Sequence, residues 1–114
     1  MKPGAQAEQT AARYLQQQGL KLLQANYRCR YGEIDLILRE GETLVFAEVR
    51  LRSRSDYGGA AASIDSHKQG KLMRTAQHYL ATFAHLPLCR FDALLLASAD
   101  GAQGVEWIKN AFEV

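Results

Sequence analysis

The sequence predicts a single α/β domain in which helices pack on a mixed β-sheet, with elements in the order α-β-β-β-α-β-β. Three observations lead there. Ala5–Gln18 and Ser66–Ala84 repeat their apolar residues at helical spacing. Between them, Glu33–Arg39 and Leu44–Leu51 alternate around a Glu-Gly-Glu turn, the pattern of a β-hairpin. After the second helix, Arg90–Ala97 is an apolar run of the kind buried on both faces of a sheet. The 114 residues suffice for one core, and no repeat or linker divides them, so residues 1–114 read as one domain.

In the first helix Ala7, Ala11, Tyr14 and Leu15 form the apolar stripe, with Pro3 and Gly4 before it and Gly19 placed to end it. Glu8 falls on the edge of that stripe. It is either a first-turn glutamate meeting the helix dipole or an acid turned towards a buried site. Lys21–Arg30 follows as a strand, with Leu20, Leu22 and Tyr27 turned inward and Asn26 weakening the pattern.

The hairpin is the most informative stretch. Period two sets Ile34, Leu36 and Leu38 on one face of the first strand, and Glu33, Asp35 and Ile37 on the other. In the second strand Leu44, Phe46, Glu48 and Arg50 fall together. A turn over Glu40–Thr43 sets Arg39 opposite Leu44 and Asp35 opposite Glu48. A two-residue turn is expected to move the pair to a diagonal, still on one face. Like charges opposite each other destabilise a sheet. The hairpin therefore calls for something positive between the carboxylates: a hard divalent cation, a lysine or an arginine. The competing reading lets Asp35 or Glu48 point to solvent from a one-sided sheet.

Arg52–Ala62, rich in arginine, serine and glycine, reads as a loop. Arg50, Arg52 and Arg54 alternate as they leave the strand, either as a solvated edge that blocks sheet pairing or as a phosphate contact. In the second helix Leu72, Ala76, Tyr79, Leu80 and Phe83 form the buried stripe, while Lys68, Lys71 and Arg74 give its first half a basic side. Pro87 closes the segment. Gly101–Gly104 turns the chain into a last strand, Val105–Lys109, ending in Asn-Ala-Phe.

Composition narrows the chemistry. A chain 47% hydrophobic and 23% charged is ordinary for a soluble protein. No apolar run approaches a membrane span, and the N-terminal residues lack the apolar core of a signal peptide, so a cytoplasmic location is expected. Cys29 and Cys89 lie far apart, with reduced thiols the default. A net charge of +2 argues against an overall basic coat but leaves room for a local patch. His67, His78 and His85 lack paired ligand spacing and read as exposed helix residues. Neither a phosphate-binding glycine loop nor a serine or cysteine nucleophile in recognisable context is found. Nor do aromatics line up to stack single-stranded bases.

What remains is acid chemistry. Glu8, Asp35 and Glu48 come from three elements, each on a face that can turn inward. Carboxylates suit magnesium, which takes oxygen ligands, keeps several waters and binds together with substrate phosphate. Such an ion can polarise a phosphodiester and generate a hydroxide nucleophile. Arg50 lies two residues from Glu48, about 7 Å along the same strand face.

Glu-Ile-Asp-Leu-Ile at 33–37, followed by Leu-Val-Phe-Ala-Glu-Val-Arg at 44–50, resembles the YraN-type family of small uncharacterised bacterial proteins. The resemblance extends over Gly4, Glu8, Tyr14-Leu15, Gly19, Asn26, Arg28, Lys68, Arg90-Phe91-Asp92 and Asn110-Ala111-Phe112, nearly the whole chain. That family belongs to the restriction-endonuclease-like, PD-(D/E)XK superfamily and is similar to archaeal Holliday junction resolvases. The resemblance implies a restriction-endonuclease-like mixed sheet flanked by helices, with Asp35 and Glu48 as metal ligands and Glu8 as an accessory acid. Lysine is usual in the family where this chain has Arg50. Arginine can stabilise charge on a phosphate but cannot act as a base. Lys68 is therefore a candidate replacement.

Together these features lead to the expectation of a magnesium- or manganese-dependent, structure-selective DNA endonuclease. Arg50 and Lys68 would stabilise the scissile phosphate, and Gln69 would orient a water or a neighbouring side chain. Arg28, Arg30, Arg52, Arg54, Lys71 and Arg74 would meet the nucleic-acid backbone. A homodimer would suit a junction-resolving role. The alternatives are a DNA-binding module that keeps the fold without turnover, and a scaffold in which Asp35 and Glu48 pair with Arg50 in an ion-pair network.

Overall fold

The structure is a computed structural model that describes residues 3–51 and 64–112. The expected contacts of Arg52 and Arg54, and the loop they open, lie outside the described residues. The element order is the expected one: α1 (Pro3–Gln17), β1 (Lys21–Cys29), β2 (Gly32–Glu40), β3 (Thr43–Leu51), α2 (Ser66–Leu80), β4 (Leu88–Leu96) and β5 (Val105–Phe112). The five strands form one mixed sheet in the order β1-β2-β3-β4-β5. Only β3 and β4 run parallel, joined by the crossover through α2.

Each helix buries its apolar stripe on one face of the sheet. Under α1, Ala7, Ala11 and Leu15 meet Leu36, Leu38, Val45, Ala47, Leu94 and Leu96. Under α2, Leu72 and Ala76 meet Ile37, Leu44, Phe46, Phe91 and Ala93. The alternate residues of β3 and β4 thus feed two cores, which explains why β4 is apolar throughout. Gly19, at φ 100, ends α1: its N–H donates to Gln16 O while Leu20 N–H donates to Leu15 O. Leu15 and Leu20 close that turn with an apolar contact in the α1 core. Asp65 caps α2, accepting the Lys68 N–H at 2.8 Å.

Several details depart from expectation. Helix α2 stops at Leu80, so Phe83 and His85 lie beyond it and Phe83 is exposed. Strand β5 ends in Asn110-Ala111-Phe112 as expected, but with a shift in register, where buried Asp92 accepts the Asn110 N–H at 3.1 Å. The hairpin turn is only Gly41 and Glu42, since Glu40 pairs with Thr43. It shares its centre with the longer turn, so Arg39 still faces Leu44 and the pair does not move to a diagonal. Ile34 leaves the Leu36–Leu38 face and packs with the α2 core. The alternation breaks beside Asn26, whose φ of 56 turns β1 so that Tyr27, paired with Ile34, joins the same core. Among the described residues no helix is long and apolar enough to cross a membrane.

Candidate metal centre

The hairpin ladder ends at the Leu36–Ala47 pair. Beyond it, Asp35 replaces the next ladder bond with its side chain: Oδ2 accepts the Val49 N–H at 2.8 Å. Glu48, next in register, is 7% exposed, and its carboxyl hydrogen-bonds to that of Asp35. Both carboxyls therefore turn inward, which removes the reading in which one of them faces solvent.

This opening between β2 and β3 is reached by both helices. Helix α1 brings Glu8, whose carboxyl lies beside Asn26 and the Asp35 carboxyl. Since α1 begins at Pro3, Glu8 sits past its first turn, so the first-turn dipole reading does not apply. Carboxylate oxygens of Glu8, Glu33 and Asp35 lie within 4.8 Å of one another. Helix α2 brings Lys68, whose Nζ stands 3.0 Å from Glu48 Oε1, while Arg50 Nη2 stands 3.6 Å from the same oxygen. Glu8, Glu33, Asp35, Glu48 and Lys68 line an open cleft of about 430 Å3 with Gly32, Lys71 and Leu72, room for a hydrated ion and a phosphate group.

Burial and mutual repulsion dominate the electrostatics. Burial, then the neighbouring Glu48 charge, pushes the Asp35 carboxyl up to about 7, against the lowering effect of the Val49 N–H. Glu48 also rises to about 7, chiefly through burial, although Arg50 favours its charged form. The Lys68 contact at 3.0 Å acts in the same direction as Arg50. Burial raises Glu8 as well, opposed by the Asn26 hydrogen bond. Burial and mutual repulsion thus disfavour charge on both carboxyls at once, so a positive group between them would be stabilising. Their hard oxygen donors suit magnesium or manganese. Glu8, Glu33, Asp35 and Glu48 are the side chains that could hold such an ion.

The other candidates divide. Lys71 lines the cleft as well as lying on the basic side of α2. Arg28 is largely exposed and pairs with Glu33 at 2.9 Å, which places its charge at the rim. Arg30 is exposed in the β1–β2 turn, and Arg74 folds back along α2 over Gly70. Gln69 does not face the acids: its Nε2 donates to Ile64 O at 2.9 Å and braces the start of α2. Glu33 and Asn26 were not among the expected site residues. Glu33 lay on the Asp35 face by period two, a usable signal; the Asn26 contact depends on a left-handed residue within a strand.

Rings from distant segments meet where the β1–β2 turn approaches α2. Tyr27 and Tyr31 from β1 and its turn meet His78 of α2, with ring centroids 6.0 and 6.2 Å away. Tyr27 and Tyr31 are half-buried and His78 is exposed.

Comparison with known proteins gives the family. The model of the uncharacterised protein family UPF0102 matches residues 7–96. A UPF0102 protein of Nitrosomonas europaea is 58% identical over 110 residues, covering 96% of this chain and 92% of the relative. One from Nitrosospira multiformis is 53% identical over 111 residues, covering 97% and 92%. Another, from Methylobacillus flagellatus, is 54% identical over 109 residues, covering 96% and 95%. The chain belongs to the uncharacterised protein family UPF0102.

Proposed function

We propose that this protein is a metal-dependent DNA endonuclease of the restriction-endonuclease-like, PD-(D/E)XK kind, acting on branched or otherwise structured DNA. The observation that carries the reading is the meeting of Glu8, Glu33, Asp35 and Glu48 with Lys68 in one open cleft. A bound magnesium or manganese ion would supply Lewis-acid polarisation of the phosphodiester and a hydroxide nucleophile at neutral pH. Asp35 and Glu48 would hold it from the hairpin, Glu8 from α1, and Glu33 from the mouth of the cleft. Lys68 Nζ, 3.0 Å from Glu48 Oε1, would take over the role of the family's usual lysine, from a helix instead of from β3. It would place positive charge beside the reacting phosphate, with Arg50 as a second cation. Lys71 would hold the backbone at the cleft wall. Arg30 and Arg74 would extend that contact along α2, and Arg28 would do so once released from Glu33.

A second reading has an observation of its own. Lys68 and Arg50 already neutralise Glu48, as they would in a DNA-binding module or scaffold that keeps the fold without turnover. The two readings part in one experiment. Labelled four-way junction, flap and linear DNA are incubated with magnesium or manganese and with wild type, Asp35→Asn, Glu48→Gln or Lys68→Ala. The nuclease reading expects cleavage by wild type and at least a hundredfold loss in each variant, in the range of removing one electrostatic catalytic group. Absence of cleavage with either ion, with salt-sensitive binding retained by all four proteins, would establish the binding module. Unchanged cleavage by Lys68→Ala alone would remove Lys68 from the mechanism.

A further inference from the structure

Beside the acid cleft the protein presents rings that carboxylate chemistry does not use. Tyr31 directly precedes Gly32, which lines the cleft. Gly32 sits hard against α2: a Cβ there would stand 3.2 Å from Thr75 Oγ1. That close approach brings Tyr31 to His78, about one helical turn beyond Thr75, with ring centroids 6.2 Å apart at 64°. The Arg30 guanidinium lies over the Tyr31 ring, 4.8 Å from its centroid, and donates to the Tyr31 hydroxyl at 2.7 Å. Arg30 and His78 are exposed and Tyr31 is half-buried. Tyr27 and Tyr79 pack on the core beneath α2, whereas Tyr31 and His78 stand outside it.

These groups continue the line of the cleft. Lys68, Lys71, Thr75 and His78 follow one another at three- and four-residue spacing along one side of α2. From Lys71 at the cleft wall to His78 the helix rises about 10 Å. That is about three stacked nucleotide steps at roughly 3.4 Å each, and fewer in an extended strand. A chain whose phosphate is held among Lys68, Lys71 and the carboxylates therefore has a base within reach of Tyr31. Every base has a flat face that stacks on a tyrosine ring or a guanidinium plane, and only an unpaired base has that face free.

We infer that Tyr31 and Arg30, flanked by His78, form a stacking platform for an unpaired nucleobase of the strand held in the acid cleft. The preferred substrate is then DNA with unpaired nucleotides beside the cleavage point, such as a flap or an open branch, over an unbroken duplex. The inference rests on the proposed nucleic-acid reading of the cleft and adds to it a substrate class.

The test is fluorescence anisotropy in calcium with three probes: an oligothymidylate, an abasic strand of equal length and a closed hairpin duplex. Wild type is expected to bind oligothymidylate tighter than the abasic strand. Tyr31→Ala and His78→Ala should weaken oligothymidylate binding, the first by about tenfold, and leave the other two probes within about twofold. Tyr31→Phe keeps the ring and should bind as wild type does. Thermal melting checks that Tyr31→Ala is folded; if it is not, His78→Ala and the wild-type comparison of thymidylate with abasic strand decide. Equal wild-type affinity for those two strands overturns the platform. So does unchanged oligothymidylate binding in both ring variants while Lys71→Ala weakens every probe; the nucleic-acid reading then survives. Failure of wild type to bind any probe at low salt overturns that reading and the platform with it.

Discussion

Replacing Glu48 with glutamine separates a poised metal site from a structural ion pair, because the two give opposite signs. Glutamine keeps the shape of the side chain and an oxygen to accept from Lys68, but carries no charge. In the folded protein the Glu48 carboxyl is lifted from 4.5 to about 7. Between those pH values the folded state holds a proton that the unfolded state has released. Stability therefore falls as pH rises from about 4.5 to about 7 and levels off above it. At about 1.4 kcal/mol per pH decade the ceiling is about 3 kcal/mol, and sharing of the proton with Asp35 brings the expected effect to about 1–3 kcal/mol. Without metal, Glu48→Gln should thus be more stable than wild type by about 1–3 kcal/mol at pH 8 and indistinguishable from it at pH 4. Urea unfolding in EDTA at both pH values measures this. Manganese at a hundred times its dissociation constant should then stabilise wild type by about 2.7 kcal/mol and leave the variant unmoved. A Glu48→Gln protein less stable than wild type at pH 8 would refute the reasoning, since Lys68 and Arg50 would then hold the charge more strongly than burial and Asp35 oppose it.

Two further perturbations probe the frame and the surface. Asp92, 1% exposed, accepts from Arg90 Nε at 3.0 Å, Trp107 Nε1 at 2.9 Å and the Asn110 N–H. Asp92→Ala would leave the Arg90 Nε–H, the Trp107 Nε1–H and the Asn110 N–H without their acceptor, although Arg90 keeps Glu40 at 2.7 Å, and should cost about 3–5 kcal/mol in urea unfolding while manganese affinity stays unchanged in the fraction that is folded. Lys71→Ala should weaken DNA binding for every sequence and reduce the slope of log affinity against log salt by about one, read from anisotropy across a salt series.

How far the site was legible follows from the kind of signal each residue carries. Asp35 and Glu48 were readable together because their register depends only on period two and the centre of the turn, and the turn proved shorter without moving its centre. Glu8 was readable as an acid at the edge of an apolar stripe, Lys68 as the first residue of a basic helix side. Gln69 lay with Lys68 one turn before the buried stripe, yet its amide donates to the Ile64 carbonyl and not towards the acids. Asn26 and Ile34 were opaque for one shared reason: a left-handed residue within β1 breaks the alternation on which face assignment depends. The ring group of Tyr31 and His78 was opaque because it exists only once α2 docks against the β1–β2 turn. The order of elements came from local pattern, whereas the parallel β3–β4 pairing and the register shift between β4 and β5 rest on contacts between distant segments.

The proposed chemistry requires that the carboxylates of Glu8, Glu33, Asp35 and Glu48 bind a divalent cation. Isothermal titration of manganese at pH 7, repeated in two buffers of different ionisation heat, measures that binding and the protons it displaces. A saturable site is expected that releases about one proton per ion at pH 7 and fewer at pH 8.5, and that Asp35→Asn and Glu48→Gln abolish. Heats of dilution alone, from wild-type protein shown to be folded, would contradict it.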